Sequence, residues 1–357
     1  MTMWSVVGTI SGTSADGIDM AEIGTDGRAV SHFGPAATVP YAYETRAAVL
    51  DAIARGPVDR SAWPEVARLV TRDHGETIGA FCAEQKLVPD LVTFHGQTVW
   101  HDPEHGETVQ LGDPQALATE LGTAVVGDLR LADMAAGGEG APLVPVYHQA
   151  LSLGLPHPLC FLNIGGVSNL TYVDGGEILA FDIGPGNALL DDWVRQHQAG
   201  DFDPGGEISA KGAVNSPWLA KALEHPFFAK PGPKSLDRNA FAPDLPEGIS
   251  LEDGAASLAG FTVAAVARAE KLCPMKPLLW LVCGGGRHNV TLMKMLAEHL
   301  DGKVVPTEEH GFDGDALEAQ AMAFLGARLK AGLPTSFPET TGACAPVVGG
   351  RLYLPLR

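Results

Sequence analysis

Asp182 closes an apolar run, Phe181-Asp182-Ile183, immediately before the bend Gly184-Pro185-Gly186-Asn187. A carboxylate at a strand end is rigid and open, a place from which it can reach a substrate and take up a proton. The same aspartate could instead cap the following helix, although Asn187 or Asp191 is also placed to do so. His95-Gly96-Gln97-Thr98 follows a short apolar run and leads to Trp100-His101-Asp102. Neutral donors and acceptors beside an aromatic face suit a sugar, which needs hydroxyl partners and a stacking surface. A lone His95 reads first as a satisfied core histidine, a reading the whole block His95-Gly96-Gln97-Thr98 weakens. Arg130, in Gly127-Asp128-Leu129-Arg130-Leu131-Ala132-Asp133, offers a two-pronged grip for a carboxylate, or a structural pair with Asp128 or Asp133. Glu318 follows Asp315 with capping-box spacing, and that assignment competes with a substrate-facing one.

Three glycine-rich turns accompany these groups. Gly12-Thr13-Ser14-Ala15-Asp16-Gly17 separates two apolar runs, the second of which begins Ile18-Asp19. Glycine lets consecutive N–H groups point into one concavity and lets a phosphate come close. Thr13 and Ser14 add hydroxyl donors, and Asp16 could hold a hydrated Mg²⁺ through water. The turn is neither a P-loop nor a dinucleotide fingerprint, since GxxxxGK[ST] is absent and a strand follows in place of a helix. Asn163-Ile164-Gly165-Gly166-Val167-Ser168-Asn169 is a second cradle of this kind. Cys283-Gly284-Gly285-Gly286-Arg287-His288-Asn289 is a third, read as joining a buried strand directly to a helix. Each turn alone is compatible with an ordinary strand exit; together they point to a nucleotide.

The elements that must carry these groups alternate, strand-like then helix-like, which is an α/β pattern. Strands are predicted at 4–10, 18–23, 91–94, 123–126, 160–164, 169–173, 178–183, 278–283 and 303–305. Helices are predicted at 43–54, 62–85, 113–121, 187–198, 251–272, 289–299 and 316–330. Asp113 caps the third of these, with Pro114 in its first turn. The Pro/Gly-rich tract 228–246 reads as a loop or lid, and periodicity breaks near 140–158. VVGTISGTSADGIDMAEI in the first half is echoed by CFLNIGGVSNLTYV in the second. The echo suggests a duplicated fold with a ligand clamped between halves, although hairpins with glycine turns are common.

The chain has 357 residues, with 24 Lys and Arg against 43 Asp and Glu, a formal charge of −19. That length predicts about two domains. A surface so negative argues against nucleic acid as a partner, while a nucleotide needs only a local pocket of N–H groups. The five cysteines are odd in number and show no CxxC or Cys/His ligand spacing, so neither a disulfide framework nor zinc is expected. No signal peptide pattern opens the chain, and the longest apolar stretches fall far short of a bilayer span. A cytoplasmic location and no membrane partner are the expectation.

Taken together, these segments resemble the anhydro-N-acetylmuramic acid kinase family of bacterial cell-wall recycling. The resembling pieces are GTISGTSADGID at 8–19, FHGQT at 94–98, QLGDP at 110–114, GDLRLADMAAGGEGAPLVP at 127–145, FLNIGGVSNLT at 161–171, FDIGPGN at 181–187, VCGGGRHN at 282–289 and DGDALEAQAMAFLGAR at 313–328. They run in order through nearly the whole chain. The resemblance implies a duplicated actin-like ATPase fold, of the sugar kinase, Hsp70 and RNase H-like kind, with two lobes around a nucleotide cleft. The lobes would be 1–145 and 146–357, with a helix at 315–331 possibly crossing between them. ATP with Mg²⁺ would convert 1,6-anhydro-N-acetylmuramic acid and water to ADP and N-acetylmuramic acid 6-phosphate. ATP would lie against Gly12, Thr13, Ser14, Ala15, Asp16, Gly17, Ile18 and Asp19, against Gly165, Gly166 and Asn169, and against Gly284, Gly285, Gly286 and Asn289. Asp182 would be the catalytic base. His95, Gln97, Thr98, Arg130, Asn187 and Glu318 would face the sugar, with Arg130 on its lactyl carboxylate. A homodimer is the expected assembly. Two other readings stay open: phosphorylation of an ordinary sugar hydroxyl on the same scaffold, and a non-enzymatic ATP-gated binding protein.

Overall fold

The two apolar runs flanking the first glycine turn, Trp4–Ser11 (β1) and Gly17–Thr25 (β2), pair as an antiparallel hairpin, and Val30–Pro40 (β3) pairs antiparallel with β2. This computed structural model describes residues 2–12, 14–234, 236 and 244–356. Thr13 and most of the end of the 228–246 tract therefore lie outside the described residues. The chain continues through Tyr43–Arg55 (α1), Trp63–Gln85 (α2), Leu91–Asp102 (β4), Glu107–Leu111 (β5), Pro114–Leu121 (α3), Val125–Gly127 (β6), Leu131–Ala135 (α4) and Pro145–Leu151 (α5). Asp113 caps α3 as expected, its Oδ1 accepting from the N–H groups of Gln115 and Ala116 at 2.9 and 3.0 Å.

Next come Leu159–Ile164 (β7), Val167–Asp174 (β8), Glu177–Pro185 (β9), Ala188–Gln196 (α6), Ser216–Ala222 (α7), Leu251–Glu270 (α8), Leu279–Cys283 (β10), Val290–His299 (α9) and Lys303–Pro306 (β11). Leu317–Lys330 (α10), Pro338–Thr341 (α11) and Arg351–Tyr353 (β12) complete the chain.

Two compact units result: residues 1–151 with 316–357, and residues 152–315. The sheet of the first unit runs β12-β6-β4-β1-β2-β3, with β5 paired to β4. The sheet of the second runs β11-β10-β7-β8-β9. Both contain the same arrangement. An antiparallel meander of three strands is extended on its first strand by two parallel ones, β4 and β6 in one unit and β10 and β11 in the other. This repeated α/β topology is the duplicated actin-like ATPase fold.

Sequence order alone grouped 146–357 together, but the structure joins 316–357 to the first unit. The cause is packing: α10 lies against β1, β2 and β4, and β12 pairs antiparallel with β6. The approach is close enough that a Cβ on Gly8 would fall 2.0 Å from the carbonyl oxygen of Ala319. The buried face of α10, rich in alanine with Met322, Phe324 and Leu325, supplies the apolar surface that holds it there. In the second unit α8 plays a comparable part. Nearly every residue from Gly254 to Val266 is buried, and its small side chains let Trp193 sit against Gly254. No helix among the described residues is long and apolar enough to cross a membrane.

Candidate active site

In the first unit the glycine turn between β1 and β2 is tied from behind. Ser11 Oγ donates to the Gly17 carbonyl at 2.7 Å, and the Ala15 N–H donates to the Gly12 carbonyl at 3.0 Å. Ala15 is fully buried with φ +53°, which closes the turn in a left-handed conformation. A Cβ on Gly12 would meet nothing closer than Ser14 Oγ at 3.7 Å, and Ser14 is exposed. Gly17 has none, because a Cβ there would meet the Val39 carbonyl at 2.6 Å. Ile18 points into the hydrophobic core, so only its backbone faces outward chemistry. Asp16 is exposed and pairs with exposed Arg46 at 3.3 Å, while Asp19 on β2 accepts from Thr38 Oγ1 at 2.6 Å.

Gln97 is fully buried and does a structural task for this turn. Its Nε2 donates to the Gly12 carbonyl at 3.0 Å and to the Thr98 carbonyl at 3.1 Å, while its Oε1 is buried with no partner among the described residues. Thr98 is also buried, its hydroxyl accepting from Gln110 at 3.3 Å. These two side chains therefore support the turn and the strand.

His95 and Arg130 form one device. Arg130 Nε donates to His95 Nε2 at 3.0 Å, and Arg130 Nη1 donates to the Gly140 carbonyl at 3.0 Å. Because Nε2 accepts, the proton sits on Nδ1, which donates to the Gly96 carbonyl at 3.0 Å. Burial, with the Arg130 charge adding to it, pushes the His95 pKa down to about 3, so the ring is a neutral acceptor. Burial likewise pulls Arg130 down to about 10, against Glu318 and Asp133, which favour its charge. Neither structural pair open to Arg130 in the sequence is formed. Asp128 accepts from the Tyr353 hydroxyl, and Asp133 from the Gly140 N–H at 2.7 Å, from Thr341 Oγ1 at 2.7 Å and from Ser336 Oγ. Asp133 thereby shapes the Gly137–Gly140 loop whose carbonyl holds Arg130. The guanidinium is oriented at two nitrogens and carries no ion pair among the described residues.

The capping box expected at Asp315 and Glu318 is absent. Helix α10 starts with Ala316 as its cap and no side-chain cap bond. Asp315 is drawn away by Arg287, at 2.8 Å. Glu318 is left accessible in the first turn of α10. The protein around it and the neighbouring Asp19 charge raise its pKa, opposed by Arg130. Asp19, Arg130 and Glu318 thus share one electrostatic neighbourhood.

In the second unit three turns separated in sequence converge. The N–H of Asn187 donates to the Gly165 carbonyl at 2.7 Å, and its Nδ2 to the Ile164 carbonyl at 3.2 Å. Asn187 stands at the cap position of α6, but its side chain is spent on Ile164 and does not cap. Gly284, at φ +72°, lies so near β7 that a Cβ would fall 2.2 Å from Asn163 Oδ1, and one on Gly286 would fall 2.5 Å from Ile164 Cγ2. Gly165, Gly166 and Gly285 are different: a Cβ on any of them would meet nothing closer than 3.7 Å. Their open faces are available to a ligand. The third turn does not open a helix directly. A 3₁₀ turn, Gly285–His288, intervenes, and buried Asn289 caps α9 by accepting from the Leu292 N–H at 2.9 Å. Arg287 locks this turn through the Gly284 carbonyl at 3.0 Å and Glu308 at 2.8 Å.

Asp182 lies inside β9 and not at a helix cap. A bulge at Ile183 sets it opposite Asn169, and Asn169 in turn pairs with Asn163. Directly opposed residues share a face of the sheet, so Asn163, Asn169 and Asp182 form a polar row beside the converged turns. All three are half-buried. The Asp182 N–H donates to the Lys234 carbonyl at 2.9 Å, and its Oδ2 accepts from the Leu236 N–H at 2.8 Å. Asn163 enters from sequence only as the first residue of the second glycine cradle, and Lys234 not at all. The Asn163–Asn169 symmetry about the Gly-Gly turn was a usable signal for the first. Lys234 sits in a Pro/Gly tract with no periodicity to mark it.

Among the described residues no group of three His, Cys, Asp or Glu side chains could hold a metal ion. A magnesium that keeps most of its water and rides on phosphates asks for less, one or two carboxylates. Asp16, exposed on the phosphate-type turn, meets that requirement.

The chain matches the family model described as anhydro-N-acetylmuramic acid kinase over residues 4–355. A protein of that name from Rhodopseudomonas palustris is 48% identical over 366 residues, covering 99% of this chain and 100% of the relative. One from Rhodospirillum rubrum is 49% identical over 355 residues, covering 98% of this chain and 94% of the relative. Among solved structures, a gluconate kinase from Lactobacillus acidophilus is 11% identical, with a TM-score of 0.43, covering 99% of this chain and 94% of that one.

Proposed function

Because the chain belongs to the anhydro-N-acetylmuramic acid kinase family and is a kinase, we propose that it opens 1,6-anhydro-N-acetylmuramic acid with water while phosphorylating its O6 from ATP. The products are N-acetylmuramic acid 6-phosphate and ADP, and the place of the reaction is the recovery of cell-wall amino sugar. In this substrate O6 is tied to C1 and is no free hydroxyl, so the bridge must break as phosphate arrives. Asp182 takes a proton from water, and the water oxygen bonds to C1. The C1–O6 bond breaks, its electron pair stays on O6, and O6 bonds to the γ-phosphorus as the bond to the β–γ bridging oxygen breaks. Glycoside hydrolysis ordinarily needs a second carboxyl group to protonate the leaving oxygen. Here the phosphoryl group receives that electron density instead.

Roles follow for each unit's own residues. The open faces at Gly12 in the first unit and at Gly165, Gly166 and Gly285 in the second are each offered to the nucleotide. Asp16 would carry Mg²⁺ through water, and the ion would offset negative charge on the phosphates. Arg130, oriented by His95 and Gly140, receives the lactyl carboxylate, the fixed anion of the sugar. Glu318 accepts from a sugar hydroxyl or the N-acetyl N–H. Gln97 acts by holding Gly12.

The observation that carries this reading is the placement of Asp182, half-buried on a bulged strand, in register with Asn169 and beside the converged glycine turns. The test is ADP release by the wild type and Asp182→Asn with the anhydro sugar and with a panel of plain hexoses and amino sugars. General-base assistance is typically worth about 10²–10⁴-fold, so the variant should lose turnover by that order while still binding ATP. Wild-type turnover in Asp182→Asn removes the base assignment. Equal turnover of plain hexoses would make the protein an ordinary hydroxyl kinase.

A further inference from the structure

We propose that Lys234 is a positioning residue for Asp182, holding the backbone of residues 232–234 and 236 against the edge of β9; the inference rests on Asp182 being the base. That segment grips Asp182 twice, through the Lys234 carbonyl on its N–H and through the Leu236 N–H on Oδ2. Something must hold Lys234 and Leu236 in turn, since neither lies in a helix or strand. Gly232 contributes by close approach, with room for no Cβ: one would fall 2.5 Å from the Phe181 ring. The Lys234 side chain contributes the rest. It is only 4% exposed, donates from Nζ to the Phe227 carbonyl at 2.9 Å, and lies 4.3 Å from the Phe227 ring centroid and 5.3 Å from that of Phe181.

A buried ammonium is costly, and no carboxylate forms an ion pair with this one among the described residues. Phe181 is the residue before Asp182, so the cation is anchored on the strand that carries the base and on the Phe227 turn at once. Among the described residues, the charges that Lys234 feels are those of Lys230 and Asp182. Burial and Lys230 bring its pKa down to about 8, with Asp182 opposing. The group is therefore charged at neutral pH and loses its cation–π and charged hydrogen-bond anchors just above it.

The test compares Lys234→Met, Lys234→Arg and Asp182→Asn in the full chain by steady-state kinetics and thermal melting. Methionine keeps the apolar stem between the two rings. Lys234→Met should stay folded, lower kcat roughly tenfold or more, and change KM for ATP less than about threefold. Wild-type kcat should fall on the alkaline side with an apparent pKa near 8, a limb absent in Lys234→Met and moved upward, with at least half of kcat restored, in Lys234→Arg. If Asp182→Asn is inactive while Lys234→Met keeps kcat within about twofold and the same alkaline limb, Lys234 has no positioning role and the base assignment stands. If Asp182→Asn is active, both fall. If Lys234→Met does not fold, Lys234→Arg decides: an alkaline limb unmoved in that variant overturns the proposal.

Discussion

Gly284→Ala and Gly285→Ala differ by one position and should fail in opposite ways. Gly284 has φ +72° and ψ 175°, a region open essentially to glycine alone. Alanine there is strained by about 1–3 kcal/mol. Its Cβ would also stand 2.2 Å from Asn163 Oδ1 and 2.8 Å from the Ile164 carbonyl oxygen. Overpacking of that kind adds about 1–3 kcal/mol, since β7 is central to the sheet and cannot retreat. The sum, about 2–6 kcal/mol, lowers the melting temperature of the second unit by roughly 5–20 °C. Gly285 has ordinary dihedrals, and a Cβ would meet only Asn187 Nδ2 at 3.7 Å. Gly285→Ala should therefore melt within about 2 °C of wild type or slightly above it. Its methyl group, however, fills the face assigned to the nucleotide, and should raise KM for ATP by roughly tenfold. Thermal melting and ATP saturation curves on both variants check this. A Gly284→Ala protein as stable as wild type refutes the packing argument, and unaltered ATP saturation in Gly285→Ala refutes the assignment of that open face.

Two further outcomes are expected. His74, His95 and His148 are buried neutral, with pKa values pushed down to about 4, 3 and 3, desolvation being the largest cause for each. Below pH 6.5 the unfolded chain takes up protons that the folded one refuses, so stability should fall with falling pH by up to about 1.4 kcal/mol per pH unit for each histidine. Glu318, raised above its usual value, acts in the opposite sense, losing stability as pH rises from 4.5 through its folded pKa, and should blunt the acid loss. Denaturant titrations from pH 7.5 to 4.5 measure the net slope, and a flat profile would contradict three buried neutral rings. Asp133→Ala should destabilise by about 3–5 kcal/mol, because the Gly140 N–H and the Ser336 and Thr341 hydroxyls lose their buried acceptor. It should also raise KM for the sugar, since Gly140 no longer fixes Arg130; calorimetry and sugar saturation kinetics check the two effects together.

Much of the scaffold is readable as periodicity. The strands with buried apolar runs, β1, β7 and β10, and the long helices α2, α8 and α10 fall where spacing puts them. The omissions have physical causes. Strand β3 is a partly exposed edge containing glycine and proline, and β12 has only three residues, so neither shows a hydrophobic signal. Strand β4 runs to Asp102, because His95, Gln97 and Thr98 are buried polar residues inside it that read as a loop. Competition between partners is invisible in one dimension. Asp315 has the spacing of a cap, yet Arg287 takes it; Arg130 has two acidic neighbours in sequence, yet orients on His95 and Gly140. Chain order hides that residues 316–357 return to the first sheet. The polar row on β7, β8 and β9 depends on a one-residue bulge, which no alternation pattern announces.

In the proposed reaction water attacks C1 while O6 of the same sugar takes the phosphoryl group. A single turnover in ¹⁸O-labelled water, quenched before the free anomeric hydroxyl exchanges with solvent, tests it directly. One labelled oxygen on C1 of the phosphorylated sugar, with unlabelled oxygen bridging C6 and phosphorus and none in the phosphoryl group, is the predicted result. Label in the phosphoryl group, or a phosphorylated product with C1 unlabelled, would contradict it.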